Sequence, residues 1–121
     1  ELEAERGGLR IAGKGGLVVT VGSVADHVGF PGNAAYAAAK YGVRGLHETL
    51  LAEYRDSGLR FTLVSPGPTD TAAWDAVDPD SRPGFTPRAR MLRPEDVAAA
   101  VVFAATRPPH VQLDWLRLVP V

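Results

Sequence analysis

The chain contains no cysteine among its 121 residues and only one methionine. Without thiols there are no disulfides, no thiolate metal sites and no cysteine nucleophile, although the compartment stays undecided on this ground alone. Charge of one sign is equally lacking. Thirteen Lys and Arg face fourteen Asp and Glu, for a formal net charge of −1. With no block of like charges, neither nucleic acid nor an acidic membrane is an expected partner. No apolar run approaches the roughly 18 residues that a membrane-spanning helix needs. The first six residues, Glu1-Leu2-Glu3-Ala4-Glu5-Arg6, are charged where a secretion signal is apolar. These absences predict a cytoplasmic, water-soluble chain of one domain. Residues 1–10 read as the tail of a helix and the first residue is not methionine, so a processed or partial polypeptide is expected.

What is present alternates between two patterns. Gly13-Lys14-Gly15-Gly16 is a turn, and Leu17-Val18-Val19-Thr20-Val21 after it is continuously apolar and β-branched. That pattern suits a strand buried on both faces and lying inside a sheet. Residues 22–31 read as loop. Asn33 is placed to cap a helix running to about Ser57, with Gly58 as its stop signal. A second strand covers residues 59–64 and is broken by Pro66-Gly67-Pro68. Residues 72–93 are rich in Pro, Asp and Arg and read as a long loop with room for one short helix. Pro94-Glu95-Asp96 opens a helix to about Thr106, with proline in the first turn and acids near the N-terminus. Residues 113–119 form a third strand. Strand–helix–strand–helix–strand implies an α/β fold with parallel strands and right-handed crossovers. Three parallel strands make a thin sheet, and the apolar first strand calls for a further pairing partner.

Tyr36 and Lys40 stand four residues apart in the Ala-rich helix, hence on one face of it. An ammonium beside a phenol favours the ionised phenol, which makes the pair a proton-transfer device. Ser23 lies thirteen residues before Tyr36, at the end of the first strand. Its hydroxyl could hold a carbonyl or alcohol oxygen beside that phenol. Ser23 and Pro66-Gly67 both follow strands, and ligands of open parallel sheets bind outside the carboxyl ends of strands. The set suits carbonyl–alcohol redox chemistry, whereas a solvated helix face is the alternative for the Tyr36/Lys40 pair alone.

Three stretches, Val19-Thr20-Val21-Gly22-Ser23, Tyr36-Ala37-Ala38-Ala39-Lys40 and Val64-Ser65-Pro66-Gly67-Pro68-Thr69-Asp70-Thr71, resemble the short-chain dehydrogenase/reductase family in order and spacing. The resemblance spans nearly all of residues 8–119. It implies a Rossmann-like parallel sheet with flanking helices and an enzyme using NADP or NAD on a small alcohol or carbonyl substrate. Tyr36 would then be the general acid/base, and Lys40 would assist it and hold the nicotinamide ribose. Ser23 would orient the substrate carbonyl. Pro66, Gly67, Thr69 and Thr71 would lie along the nicotinamide and phosphate side of the cofactor. The ending, from Arg93-Pro94-Glu95-Asp96-Val97 to Pro109-His110-Val111, is similar to the branch acting on small hydroxy acids and simple carbonyls. In that family the Ala-rich helix joins a four-helix interface between subunits. Here Ala34, Ala35, Ala37, Ala38, Ala39, Gly42 and Gly45 supply the small side chains, so a homo-oligomer is expected.

The departures from the family are specific. Its Gly-rich phosphate loop, the residue selecting the cofactor, its Asn-Asn-Ala-Gly stretch and its helix asparagine have no counterpart. Gly13-Lys14-Gly15-Gly16 leads into a strand, not from a strand into a helix, so its amides would not meet a phosphate at a helix N-terminus. The chain therefore reads as the C-terminal catalytic half of one domain, without the nucleotide-binding half. The rival reading is a catalytically silent polypeptide that serves as an interaction or oligomerisation module.

Other groups carry less. His47-Glu48 begins a zinc-type His-Glu-x-x-His pattern, but Leu51 stands where the second histidine belongs. His27 and His110 fall in loops without ligand-spaced partners and read as surface histidines. Asp75, Asp78 and Asp80 lack the glycine and glutamate of a calcium loop. No metal is expected. Trp74 could line a substrate pocket or simply pack, and the arginines of residues 82–93 could meet a carboxylate or face solvent.

Overall fold

The computed structural model of the protein describes residues 15–121. The helix tail expected over residues 1–10 lies outside these, as do Gly13 and Lys14 of the glycine turn. Three strands, β1 (Gly16–Val21), β2 (Leu59–Pro66) and β3 (Trp115–Leu118), form a parallel sheet in the order β1-β2-β3. Val18 stands opposite Phe61, and Val64 opposite both Val21 and Leu116. Helix α1 (Ala34–Glu53) connects β1 to β2, and α2 (Pro94–Ala105) connects β2 to β3. Two parallel strands cannot be joined by a tight turn, so each connection contains a helix that covers the sheet.

β1 is the strand for which a further pairing partner is expected. Among the described residues it is an edge strand whose one partner is β2, and its last residue, Val21, is half exposed. The centre belongs to β2, where Phe61, Thr62, Leu63, Val64 and Ser65 are all buried. Successive side chains on a strand point to opposite faces, so burial of five in a row means both faces are covered. Helices α1 and α2 both pack on β2. Phe61, Leu63 and Val64 form the core with Tyr54, Met91, Ala104 and Ala25, and Tyr54 stacks on Phe61 at 5.7 Å. Continuous apolarity signals covered faces but says nothing of which strands lie to either side.

Helix α1 stops at Glu53, four residues before the expected end. The Tyr54 N–H closes it on the Leu50 carbonyl at 3.0 Å. Asp56 (φ 63°) and Gly58 (φ 82°) then adopt left-handed backbone, which a right-handed helix cannot pass through. The Ser57 hydroxyl donates to the Tyr54 carbonyl at 2.6 Å and accepts from the Leu59 N–H at 3.1 Å, which leads the chain into β2. Asn33 does occupy the N-cap of α1, without a side-chain hydrogen bond. Strand β2 runs on through Pro66, and β3 is shorter than expected. Arg60 guides β3 into place by donating to the carbonyls of Arg107 and Pro108, each at 3.3 Å, and of Val111 at 3.1 Å. The long loop contains three single 3-10 turns, Ala72–Trp74, Pro79–Ser81 and Arg88–Arg90.

Candidate active site

Beyond β1, the Gly22 N–H donates to the Val64 carbonyl at 2.7 Å and keeps the chain beside β2 for one more residue. Ser23 follows in extended conformation (φ −164°, ψ 159°) and caps the 3-10 turn Val24–Asp26. Its hydroxyl oxygen accepts from the Ala25 N–H at 3.1 Å, and its own N–H donates to Asp26 Oδ2 at 3.2 Å. This reciprocal pair is a capping box. It uses the Ser23 oxygen as an acceptor and leaves the O–H hydrogen to donate elsewhere. Ser23 is buried, 9% exposed.

Tyr36 and Lys40 occupy the first turns of α1 and share one face as their spacing requires. Lys40 Nζ lies 5.6 Å from the centre of the Tyr36 ring. Tyr36 is about half exposed, and Lys40 forms no ion pair with a described residue. Helix α1 packs on the turn that Ser23 caps, so the two pieces are neighbours.

Pro66 and Gly67 lie at the carboxyl end of β2, where the Gly67 N–H donates to the Leu118 carbonyl at 2.7 Å. A Cβ on Gly67 would come within 3.3 Å of that carbonyl oxygen and of Pro120, a tight fit that the end of β3 and the residues after it would have to ease. The Thr69 hydroxyl donates to the Gly67 carbonyl at 3.0 Å, and its backbone bridges to Leu92. Thr71 is exposed, with its carbonyl accepting from Arg88 Nη2 at 3.0 Å. The candidate residues thus stand at the carboxyl ends of β1 and β2 and on the start of α1. A separate cleft of about 340 Å³, lined by Leu51, Tyr54, Leu59, Phe61 and Asp114, opens at the amino ends and touches none of them.

Several other residues have definite duties. His27 is not a surface histidine. Its Nδ1 meets Asp26 Oδ1 at 2.7 Å, its side chain is only 14% exposed, and its ring stands edge-on to Trp115 at 5.2 Å. Trp74 packs within the loop, where its indole N–H donates to the Thr69 carbonyl at 3.0 Å and its ring meets the edge of Phe85. Arg88 is occupied by Asp70 and Asp75, both at 2.7 Å, and Asp80 accepts the Arg88 N–H at 2.8 Å. His47 is buried at 4% exposure, and its Nε2 has no hydrogen-bond partner among the described residues. Burial pushes its pKa below the ordinary 6.5, with the Asp114 backbone partly offsetting this.

Asp26, Ser65 and Trp115 are absent from the sequence-based set. Ser23-x-x-Asp26 has the spacing of a capping box and could have flagged Asp26. Ser65 and Trp115 carry no local signal, because their partners are distant in sequence.

Residues 4–108 match the model of the protein family described as Enoyl-(Acyl carrier protein) reductase. An oxidoreductase of Schizosaccharomyces pombe is 39% identical over 99 residues, covering 77% of this chain and 38% of that protein. A 3-oxoacyl-[acyl-carrier-protein] reductase of Synechocystis is 36% identical over 100 residues, covering 83% and 40%. Among solved structures, the closed form of serine dehydrogenase complexed with NADP+ superposes with a TM-score of 0.73 at 25% identity, covering 86% and 44%. The chain belongs to the short-chain dehydrogenase/reductase family, and its sheet is the Rossmann-like parallel sheet of those structures. It spans about two-fifths of the length of the curated relatives it matches.

Proposed function

We propose that this chain is the C-terminal catalytic half of a Rossmann-like domain in a cytoplasmic NAD(P)-dependent oxidoreductase that interconverts a secondary alcohol and a carbonyl. The observation carrying this reading is a pair of uncommitted donors, one at the carboxyl end of β1 and one on the first turns of α1. The Ser23 O–H is left over from its capping box, and the Lys40 ammonium lies over the Tyr36 ring without a carboxylate partner among the described residues. Serine dehydrogenase, similar in fold, was crystallised with NADP+, which favours NADP here. The available Lys40 ammonium and the exposed Thr71 fit the ribose and amide end of such a cofactor, with Pro66, Gly67 and Thr69 shaping the wall beside it.

In the oxidation direction the Tyr36 phenol oxygen takes the proton of the substrate hydroxyl. In reduction it returns that proton to the carbonyl oxygen. Lys40 lies beside the phenol, and the Ser23 O–H donates to the reacting oxygen and holds it in line. When bound, the nicotinamide accepts or supplies the hydride. The exposed small side chains of α1 support packing against a second copy, which sedimentation would register as a homo-oligomer.

Fluorescence titration with NADPH and NADH, on this chain and on a longer form that includes the nucleotide-binding half, followed by Tyr36→Phe in that longer form, tests the reading. Binding of at least one nucleotide is expected, with turnover abolished in the variant and nucleotide affinity nearly intact. Failure to bind either one, or equal rates in variant and parent, rules it out.

A further inference from the structure

Asp26 makes more contacts than a capping box requires. It is fully buried, at 0% exposure. Besides the Ser23 N–H, its Oδ2 accepts the Ser65 hydroxyl at 2.5 Å, and Ser65 Oγ accepts the Trp115 indole N–H at 2.9 Å. Oδ1 faces His27 Nδ1 at 2.7 Å. The direction of the chain is fixed by its ends. An indole N–H can only donate, so the Ser65 oxygen receives it and sends its own hydrogen to Asp26. At the far end the guanidinium groups of Arg44 and Arg117 both pack over the Trp115 ring, at 5.3 and 5.0 Å.

Gly22 points the same way. A Cβ there would fall 2.5 Å from Asp26 Oδ2 and 3.1 Å from Leu63, so only glycine lets the carboxylate lie under the backbone that carries Ser23. A local cap would have been satisfied at the surface. Burying a carboxylate is costly unless its oxygens are filled, and here they are filled from Ser65 of β2 and from the turn itself, with Trp115 of β3 behind Ser65.

We infer that Asp26 is a positioning residue for Ser23: through Ser65 and Trp115 it locks the turn after β1 to β2 and β3 and thereby sets where the Ser23 hydroxyl stands. The inference rests on the reading of Ser23 as the group that holds the reacting oxygen. Without the lock, Ser23 would keep its chemistry and lose its place. A displacement of about 1 Å is enough to cost on the order of 10²-fold in rate.

The test joins a structural and a kinetic measurement on a longer form that includes the nucleotide-binding half and on its Asp26→Asn variant, with Ser65→Ala as the milder break should Asp26→Asn fail to fold. In crystal structures superposed on β1–β3, Ser23 Oγ should shift relative to the Tyr36 hydroxyl by about 1 Å. An unmoved Ser23 overturns the proposal. In NADPH-dependent reduction of ethyl acetoacetate, used as a simple keto probe, each single change should lower kcat with NADPH affinity unchanged. Added to Ser23→Ala, Asp26→Asn should cost nothing more, because it acts through the missing hydroxyl. Losses that multiply would make Asp26 a merely structural residue and sink the proposal, leaving the enzyme reading intact. If Ser23→Ala turns over the probe at the parent rate, the reading of Ser23 itself fails, and the positioning role falls with it.

Discussion

His47 shows how one buried side chain links environment to stability. It sits on α1 with an imidazole nitrogen lacking a partner among the described residues, and burial lowers its pKa below 6.5. Asp114, Glu48 and Asp26 pull the other way without prevailing. The folded form therefore holds a neutral ring, whereas the unfolded chain takes up a proton once the pH drops below the ordinary value. The group's contribution is present above pH 6.5 and is lost as the pH falls from there toward the lowered folded value. Thermal unfolding followed from pH 8 to pH 5 should show a declining melting temperature. His47→Leu should flatten that decline, and an unchanged slope would remove His47 as its source. Ser23 teaches a related lesson at this scale. Its backbone conformation and cap are local, but Asp26 ties the turn that carries it to residues far along the chain.

Among the elements, the loop after β2 departs furthest from its sequence pattern. Its lack of periodicity is genuine, yet the segment is ordered by point contacts in place of a regular ladder. Arg88 takes Asp70 and Asp75 at once, and Leu92 bridges to Thr69 and exchanges hydrogen bonds with Pro68 and Asp70. Arg88 is half-buried with solvent-exposed partners, and pairs of that kind add little to global stability. The guanidinium nevertheless joins the two ends of the loop. Arg88→Ala should leave the melting temperature nearly unchanged while amide exchange in residues 70–91 speeds up. Equal exchange in both proteins would show that the loop is held by something else. The end of α1 is a second case. Gly58 marks a stop, but the helix had already ended at Glu53, because Asp56 also takes up left-handed backbone.

For the whole molecule, the question is where the core lies. β2 has neighbours on both sides and helices packed on it, and Leu63 and Val64 at its middle are fully buried. Leu63→Ala should destabilise the fold by about 2–5 kcal/mol in denaturant unfolding. Leu46, 59% exposed on α1, should shift stability by no more than about 0.5 kcal/mol when truncated. Comparable losses at the two positions would contradict a core centred on β2.

Much of this was legible in the residues themselves. Apolar β-branched runs, a proline-led helix start and the Tyr36/Lys40 spacing depend on neighbours within a few positions. Order and type of the elements, the α/β class and the family resemblance therefore followed from the sequence alone, because backbone geometry turns short spacings directly into shared faces. Tertiary structure decided the rest. It placed β1 at the edge of the described sheet and β2 at its centre, although β1 has the more uniformly apolar pattern. It also placed Asp26 beside Ser65, 39 positions away, and Ser65 beside Trp115, 50 positions away. No local pattern encodes such pairings. They exist because parallel crossovers bring successive strand ends to one edge of the sheet, and a buried carboxylate must find its donors there.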